Sequence, residues 1–279
     1  MKRLIAVSLL LLPVAASGRS GESDWKFEEH ETLNRTFPVA AGDNVSKLQV
    51  DNVNGYIHVT GTSGAEIQVK VEKRIRAESE AALADARKEV TFDMTQEGNA
   101  VKLYADGPFR HNGDGDRRYG VVFDCEIQVP AGAAIDLHAL NGAIQVKNSS
   151  GDFKIASLNG KVEMEGIAGS GSAHTLNGAV KITFSRNPAQ GSSFHTLNGS
   201  IDIYFPSSPD ADMAFQTLHG GVYSDFDVTT IPVTVNGEIS GSRFVYRSGG
   251  NMKVRAGKGG PELSFHTLNG SIRLHSKGA

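Results

Sequence analysis

Histidines and carboxylates are the side chains in this 279-residue chain whose spacing could support chemistry. His138, His174, His195 and His266 each stand three residues before an Asn, in a column that Ala156 and Gln216 also occupy. On strands about 4.8 Å apart, His174 and His195 become neighbours, and two imidazoles could share a transition-metal ion. Two ligands fall short of the three or four that hold a metal firmly, so no metal site is assigned and the pair is kept as part of a binding face. Glu163 and Glu165 project from one side of a strand about 6.6 Å apart, a separation suited to paired-carboxylate glycoside hydrolysis. Lys147 and Lys181 on flanking strands would pair with them, and ion pairing is the simpler account. His111 to Arg118 places oxygen ligands at alternate positions, as a calcium loop begins. Arg117 then stands where Gly is required, and Phe123 where the closing Glu belongs. Cys125 lies in the alternating run Val121 to Val129 and reads as a small core residue, and Trp25 and Phe27 read as packing residues. There is no nucleophile elbow, H-E-x-x-H pair, phosphate loop or dinucleotide fingerprint. The expectation is a protein with no catalytic residue and no cofactor.

What would position these groups is a repeat. Leu-Asn-Gly occurs at Asn141, Asn159, Asn177, Asn198 and Asn269, with degenerate copies at Asn54, His219 and Asn236. From Asn141 the intervals are 18, 18, 21, 21 and 17 residues, then 33 to Asn269, a gap wide enough to hide one copy near Gly249 to Val254. Apolar and polar residues alternate before and after each Asn-Gly, as in Phe194 to Ile203, which predicts two short strands per repeat. A meander of hairpins would satisfy this pattern. The same residue types at the same place in each repeat favour parallel coils, each strand pairing with its counterpart one coil away. The predicted fold is therefore all-β, a parallel β-solenoid with repeats of about 18–21 residues.

In that fold Leu137, Ile155, Phe194, Phe215 and Phe265 point inward before the bend, and Ile144, Val162, Val180, Ile201, Val222 and Ile272 after it. Each Asn marks a bend in the left-handed conformation and stacks its amide on the Asn of the next coil. Strict alternation leaves Leu197 outside, and its recurrence predicts that the chain turns there and returns it to the core. Tyr204 and Tyr223 fall outward on successive coils, either stacked on one another or part of the binding face with His174 and His195. The loops Ser185 to Ser192 and Ser207 to Met213 would carry specificity.

The remaining chain is less regular. Lys47 to Thr60 and Glu66 to Ile75 alternate as strands, Ala77 to Val90 has helical spacing, and Val90 to Met94 with Ala100 to Tyr104 suggests a hairpin. The expected organisation is a signal peptide over 1–18, an N-terminal cap over 19–130 containing the first repeat and the helical insertion, and repeats over 131–279. The leader has Lys2 and Arg3, an apolar run from Leu4 to Leu12, and small residues from Ala15 to Gly18. It predicts an exported, soluble protein, periplasmic or at the cell surface, with no transmembrane segment after its removal. No Cys follows the run, so a lipoprotein is not expected. The single Cys also excludes an intramolecular disulfide and a cysteine-based zinc site. Without the leader 26 basic residues face 31 acidic ones, a poor balance for binding nucleic acid.

The Leu-Asn-Gly motif followed by Ile-x-Val, downstream of a leader and of an opening like Leu48 to Val59, resembles the bacterial "putative adhesin" family of exported β-strand-repeat proteins, over roughly residues 34 to 276. The resemblance implies an envelope-associated β-solenoid and brings no catalytic residues. The expected role is a binding or scaffold module for an envelope protein or glycan. The alternatives are a structural protein that polymerises through its solenoid ends and a polysaccharide-active β-helix enzyme.

Overall fold

The computed structural model describes residues 8–13, 25–39, 46–110, 118–232, 237–240, 243–246 and 252–276. They form an all-β protein with one α-helix, in two units, Met1–Lys147 and Asn148–Ala279. The loop from His111 to Arg117 with calcium-like spacing and the bend at Asn236 lie outside the described residues.

The first unit contains β1 (Ser8–Pro13), β2 (Phe27–Pro38), β3 (Lys47–Asn54), β4 (Ile57–Thr62), β5 (Glu66–Ala77), α1 (Glu80–Glu89), β6 (Thr91–Glu97), β7 (Ala100–Asp106), β8 (Tyr119–Pro130), β9 (Ala134–Asn141) and β10 (Ile144–Lys147). One sheet runs β1-β2-β5-β8-β4-β10, antiparallel as far as β8 and parallel beyond it. The other runs β9-β3-β7-β6, with only the β6/β7 hairpin antiparallel. The helix starts where Ser79 accepts a hydrogen bond from the Ala82 amide at 3.2 Å, and it buries Ala82, Leu83 and Ala86. β9 and β10 fall in the first of these units, which ends at Lys147. β1 pairs antiparallel with β2, Ser8 opposite Thr32 and Pro13 opposite Phe27.

The second unit contains β11 (Phe153–Asn159), β12 (Val162–Ile167), β13 (Gly171–Asn177), β14 (Val180–Phe184), β15 (Ser192–Asn198), β16 (Ile201–Phe205), β17 (Ala211–His219), β18 (Val222–Ser224), β19 (Val228–Thr230), β20 (Gly237–Ser240), β21 (Arg243–Tyr246), β22 (Met252–Ala256), β23 (Glu262–Asn269) and β24 (Ile272–Ser276). Strands before the bends pair in parallel as β11-β13-β15-β23-β17, and those after them as β12-β14-β16-β24-β18. β22 and β19 extend the first of these sheets in antiparallel, while β20 and β21 form a separate hairpin. No barrel closes among the described strands.

Two expectations about strand order are corrected. The final repeat does not follow its predecessor at the end of the sheet. β23 inserts between β15 and β17 and matches both, Phe265 opposite Phe194 and Phe215. The residues thought to hide a further copy, Met252 to Val254, lie instead in antiparallel β22.

The core is a stack of like residues. Phe194, Phe215 and Phe265 are buried, with ring centroids 5.3 and 5.1 Å apart along the stack. Ile144, Val162, Val180, Ile201 and Ile272 are fully buried, whereas Val222, on the short terminal strand β18, is only half-buried.

The bends differ from expectation. Among the described residues Asn148 is the one non-glycine with positive φ, so the Asn of each repeat keeps ordinary strand-end geometry. Its amide nevertheless forms a ladder. Asn177 donates to Asn159 at 2.8 Å, Asn198 to Asn177 at 2.8 Å and Asn269 to Asn198 at 2.7 Å, with His219 continuing it at 3.0 Å from Asn269. In the first unit Asn141 donates to Asn54 at 3.0 Å. The following Gly is required by close approach, since a Cβ on Gly199 would overlap the carbonyl oxygen of Gly178, and at Gly55 a φ of 110° requires glycine as well.

Leu197 does not return to the core. Alternation holds through the bend, and the inward position falls to Thr196, whose hydroxyl donates to the Gly178 carbonyl at 2.8 Å. Thr175, Thr217 and Thr267 repeat this bond to Gly160, Gly270 and Gly199. The buried threonine meets a strand-end carbonyl that would otherwise lack a partner, and the leucine is left facing out.

Candidate functional site

Alternation places Ser172, His174 and Leu176 on one face of β13, Ser193, His195 and Leu197 on β15, and Ser264, His266 and Leu268 on β23. These strands are adjacent and in register, Ser on Ser and His on His. The insertion of β23 therefore makes three rungs of like sequence contiguous, although 71 residues separate His195 from His266. Gln216 on β17 continues the histidine row.

The His174 and His195 rings stack 4.6 Å apart at 10°, and His266 meets His195 edge-on at 5.5 Å. Partial burial lowers the pKa of His174 and His195. The Lys154 ammonium adds to this for the first, and the charges of His174 and His266 for the second. These imidazoles are neutral at neutral pH. Beside them the surface dips into an open depression of about 450 Å³ lined by Lys154, Ser172, Ser193, Ser264 and Glu262. On the other side lies an apolar ridge, with Leu158 39%, Leu176 37%, Leu197 38% and Leu218 66% exposed. Large side chains left this open along one line are not satisfied by the fold itself.

The hydroxyl of Ser193 lies 3.3 Å from Nε2 of His174, the spacing of a nucleophile and its base. A base must become imidazolium, and here burial and Lys154 both oppose that charge. Among the described residues no group of three or more His, Cys, Asp or Glu is placed to hold a metal ion.

The other singled-out residues are dispersed. Glu163 pairs with Lys161 at 2.9 Å and Lys181 at 3.4 Å, and these contacts hold its carboxyl below the usual range, the reverse of what a general acid needs. Cys125 is fully buried, and burial pushes its thiol pKa up, as does the neighbouring Asp124. Tyr204 and Tyr223 are not neighbours, because β24 lies between their strands. Tyr204 stacks on His275 at 4.5 Å, and Tyr223 falls opposite Arg273. Both lie on the sheet that does not carry His174 and His195. Sequence reasoning missed the leucine ridge, although strict alternation had already placed Leu197 outside.

No protein-family model matches this chain, and no curated protein does. Among solved structures it is similar to a "putative cell adhesion protein" from Clostridium sporogenes ATCC 15579, at 12% identity over 88% of this chain and 100% of that one, with a TM-score of 0.44. A "putative adhesin" from Bacteroides fragilis NCTC 9343 matches at 10% identity over 88% and 96% of the two chains, with a TM-score of 0.40. A "putative lipid binding protein" from Parabacteroides distasonis ATCC 8503 matches at 11% identity over 87% and 96%, with a TM-score of 0.27. At these scores the likeness carries no argument about function. Among the described residues no helix is long and apolar enough to cross a membrane.

Proposed function

We propose that this chain is an exported, non-catalytic binding module of the cell envelope, its repeats wound as a parallel β-solenoid, and that the Ser, His and Leu rows of the second unit are its contact face. One observation carries the proposal. Three rungs of like sequence, drawn from distant parts of the chain, lie side by side, and Leu176 and Leu197 of two of them stand open beside the serine and histidine rows. In-register parallel pairing of like residues supports the solenoid. The basic, apolar and small-residue order of the first eighteen residues supports export. The partner is an envelope protein or glycan.

The test is recovery of a partner from native envelope with wild type and with the double variant Leu176→Ser, Leu197→Ser. The variant is expected to melt within a few degrees of wild type, because both side chains are already exposed, and to lose the partner. Unchanged recovery overturns the assignment of the face. N-terminal sequencing of the mature protein is expected to begin near Ser17 or Arg19, and an intact Met1 in the envelope fraction overturns cleavage.

A further inference from the structure

The first unit holds a cavity of about 220 Å³ that the contact face does not explain. It is lined by Trp25, Asn54, Arg74, Arg76, Gly120 and the two valines that follow. Among the described residues no carboxylate lines it. Arg74 projects from β5, with His30 of β2 and Val122 of β8 as its cross-strand neighbours. Its Nε is enclosed and has no hydrogen-bond partner among the described residues. A buried guanidinium N–H left unpaired is costly, and native structures rarely keep one without a use.

The surrounding charges are already taken. Arg76 donates to Glu28 at 3.1 Å, and Glu28 also holds His30 at 2.9 Å. Glu72, two residues from Arg74, is bound by Lys70 at 2.8 Å. Asn54 is fixed, donating to the Val121 carbonyl at 3.2 Å and accepting from Asn141 at 3.0 Å. Gly120 lies against the indole of Trp25, where a Cβ would sit in ordinary van der Waals contact at 3.7 Å and a larger side chain would enter the space. The result is a half-enclosed slot with one uncommitted cationic donor, an indole wall and an apolar floor.

We propose that this slot binds a single carboxylate carried on a compact six-membered ring, with Arg74 taking the carboxylate and Trp25 packing against the ring. Guanidinium matches carboxylate in plane and charge, and the volume exceeds what a bare carboxylate fills. Two sources share this chemistry, the uronate residue of an acidic glycan and a free cyclic organic acid. The site is independent of the second unit's contact face, so either proposal can fail alone.

Trp25 is the sole tryptophan, so intrinsic fluorescence of the full chain reads this cavity directly. The expected result is a saturable change in emission on titration with glucuronate or benzoate, and none with glucose, which lacks the charge. Response to glucuronate with little to benzoate identifies the glycan source, and the reverse identifies the free acid. Arg74→Gln is expected to weaken binding by about tenfold or more, and Gly120→Leu to abolish it by filling the slot. Thermal melts identify any variant that fails to fold, and Arg74→Lys, which retains the charge but not the fork, then serves as the second measurement with partial binding expected. No saturable response to either acid, or binding unaltered in a folded Arg74→Gln protein, overturns the proposal.

Discussion

At the scale of single residues, the repeat motif separates into positions with different jobs. Phe194 and Thr196 face inward, Leu197 faces solvent, Asn198 joins the amide ladder, and Gly199 admits the carbonyl of the coil beside it. The stability of variants should follow this division. Leu197→Asp is expected to cost under about 1 kcal/mol, as exposed substitutions do. Gly199→Ala is expected to cost about 1–3 kcal/mol or more, because the new methyl meets backbone that cannot rotate away. Denaturant melts of the two check the order, and a larger loss in Leu197→Asp would place that leucine in the core after all. The inward Phe column was legible because alternation needs only one sequence to be seen. Recurrence alone misplaces Leu197, because an outward position repeats with the motif just as an inward one does. The histidine row adds a dependence on pH. His174 and His195 have pKa values lowered in the folded protein, so the unfolded chain takes up protons first as pH falls. Stability is full above the ordinary histidine value of about 6.5, is lost as pH falls through it, and stops falling below the folded values. Melting temperature is expected to drop between about pH 7.5 and 5.5, and to drop less in His195→Gln, whose new side chain matches Gln216 in the same row.

Among the elements, β23 carries the largest consequence. Its Phe265 stacks on both Phe194 and Phe215, so Phe265→Ala opens a cavity between two rings rather than at the end of a stack. A loss of about 3–5 kcal/mol is expected. Phe153→Ala, in β11, is expected to cost less, because no stacked ring contact of that type holds Phe153 among the described residues. Thermal or denaturant unfolding of the pair decides the matter, and equal losses would show that insertion confers no added packing. The strands themselves, the helix over Glu80–Glu89 and the β6/β7 hairpin were legible from period and turn residues. Their order was not. β15 presents Phe-His-Thr-Leu-Asn, and both β17 and β23 offer a matching inward column, so pairing alone is nearly degenerate. Proximity in sequence favours β17, and it is overruled because β23 is matched on both sides when placed in the middle. The cavity under Trp25 was illegible for a related reason: its walls come from Trp25 ahead of β2, from the end of β3, from β5 and from β8, which no local pattern links.

For the molecule as a whole, columns of like residues give each unit a regular surface, and the two proposed sites lie where the fold leaves side chains unsatisfied. One is the run of open leucines, the other the unpaired guanidinium. The position of β23 also governs when the second unit can exist. A ribosome delivers β15 and β17 before residues 262–276, so the rung that must lie between them emerges after both. Until then the two strands have no lasting reason to stay in their final places, and any direct pairing between them would have to be undone. Completion of this unit is thereby deferred until β23 and β24 have been made. A chain arranged in this way keeps its second unit open, with β15 and β17 already present, for as long as their shared partner is still missing.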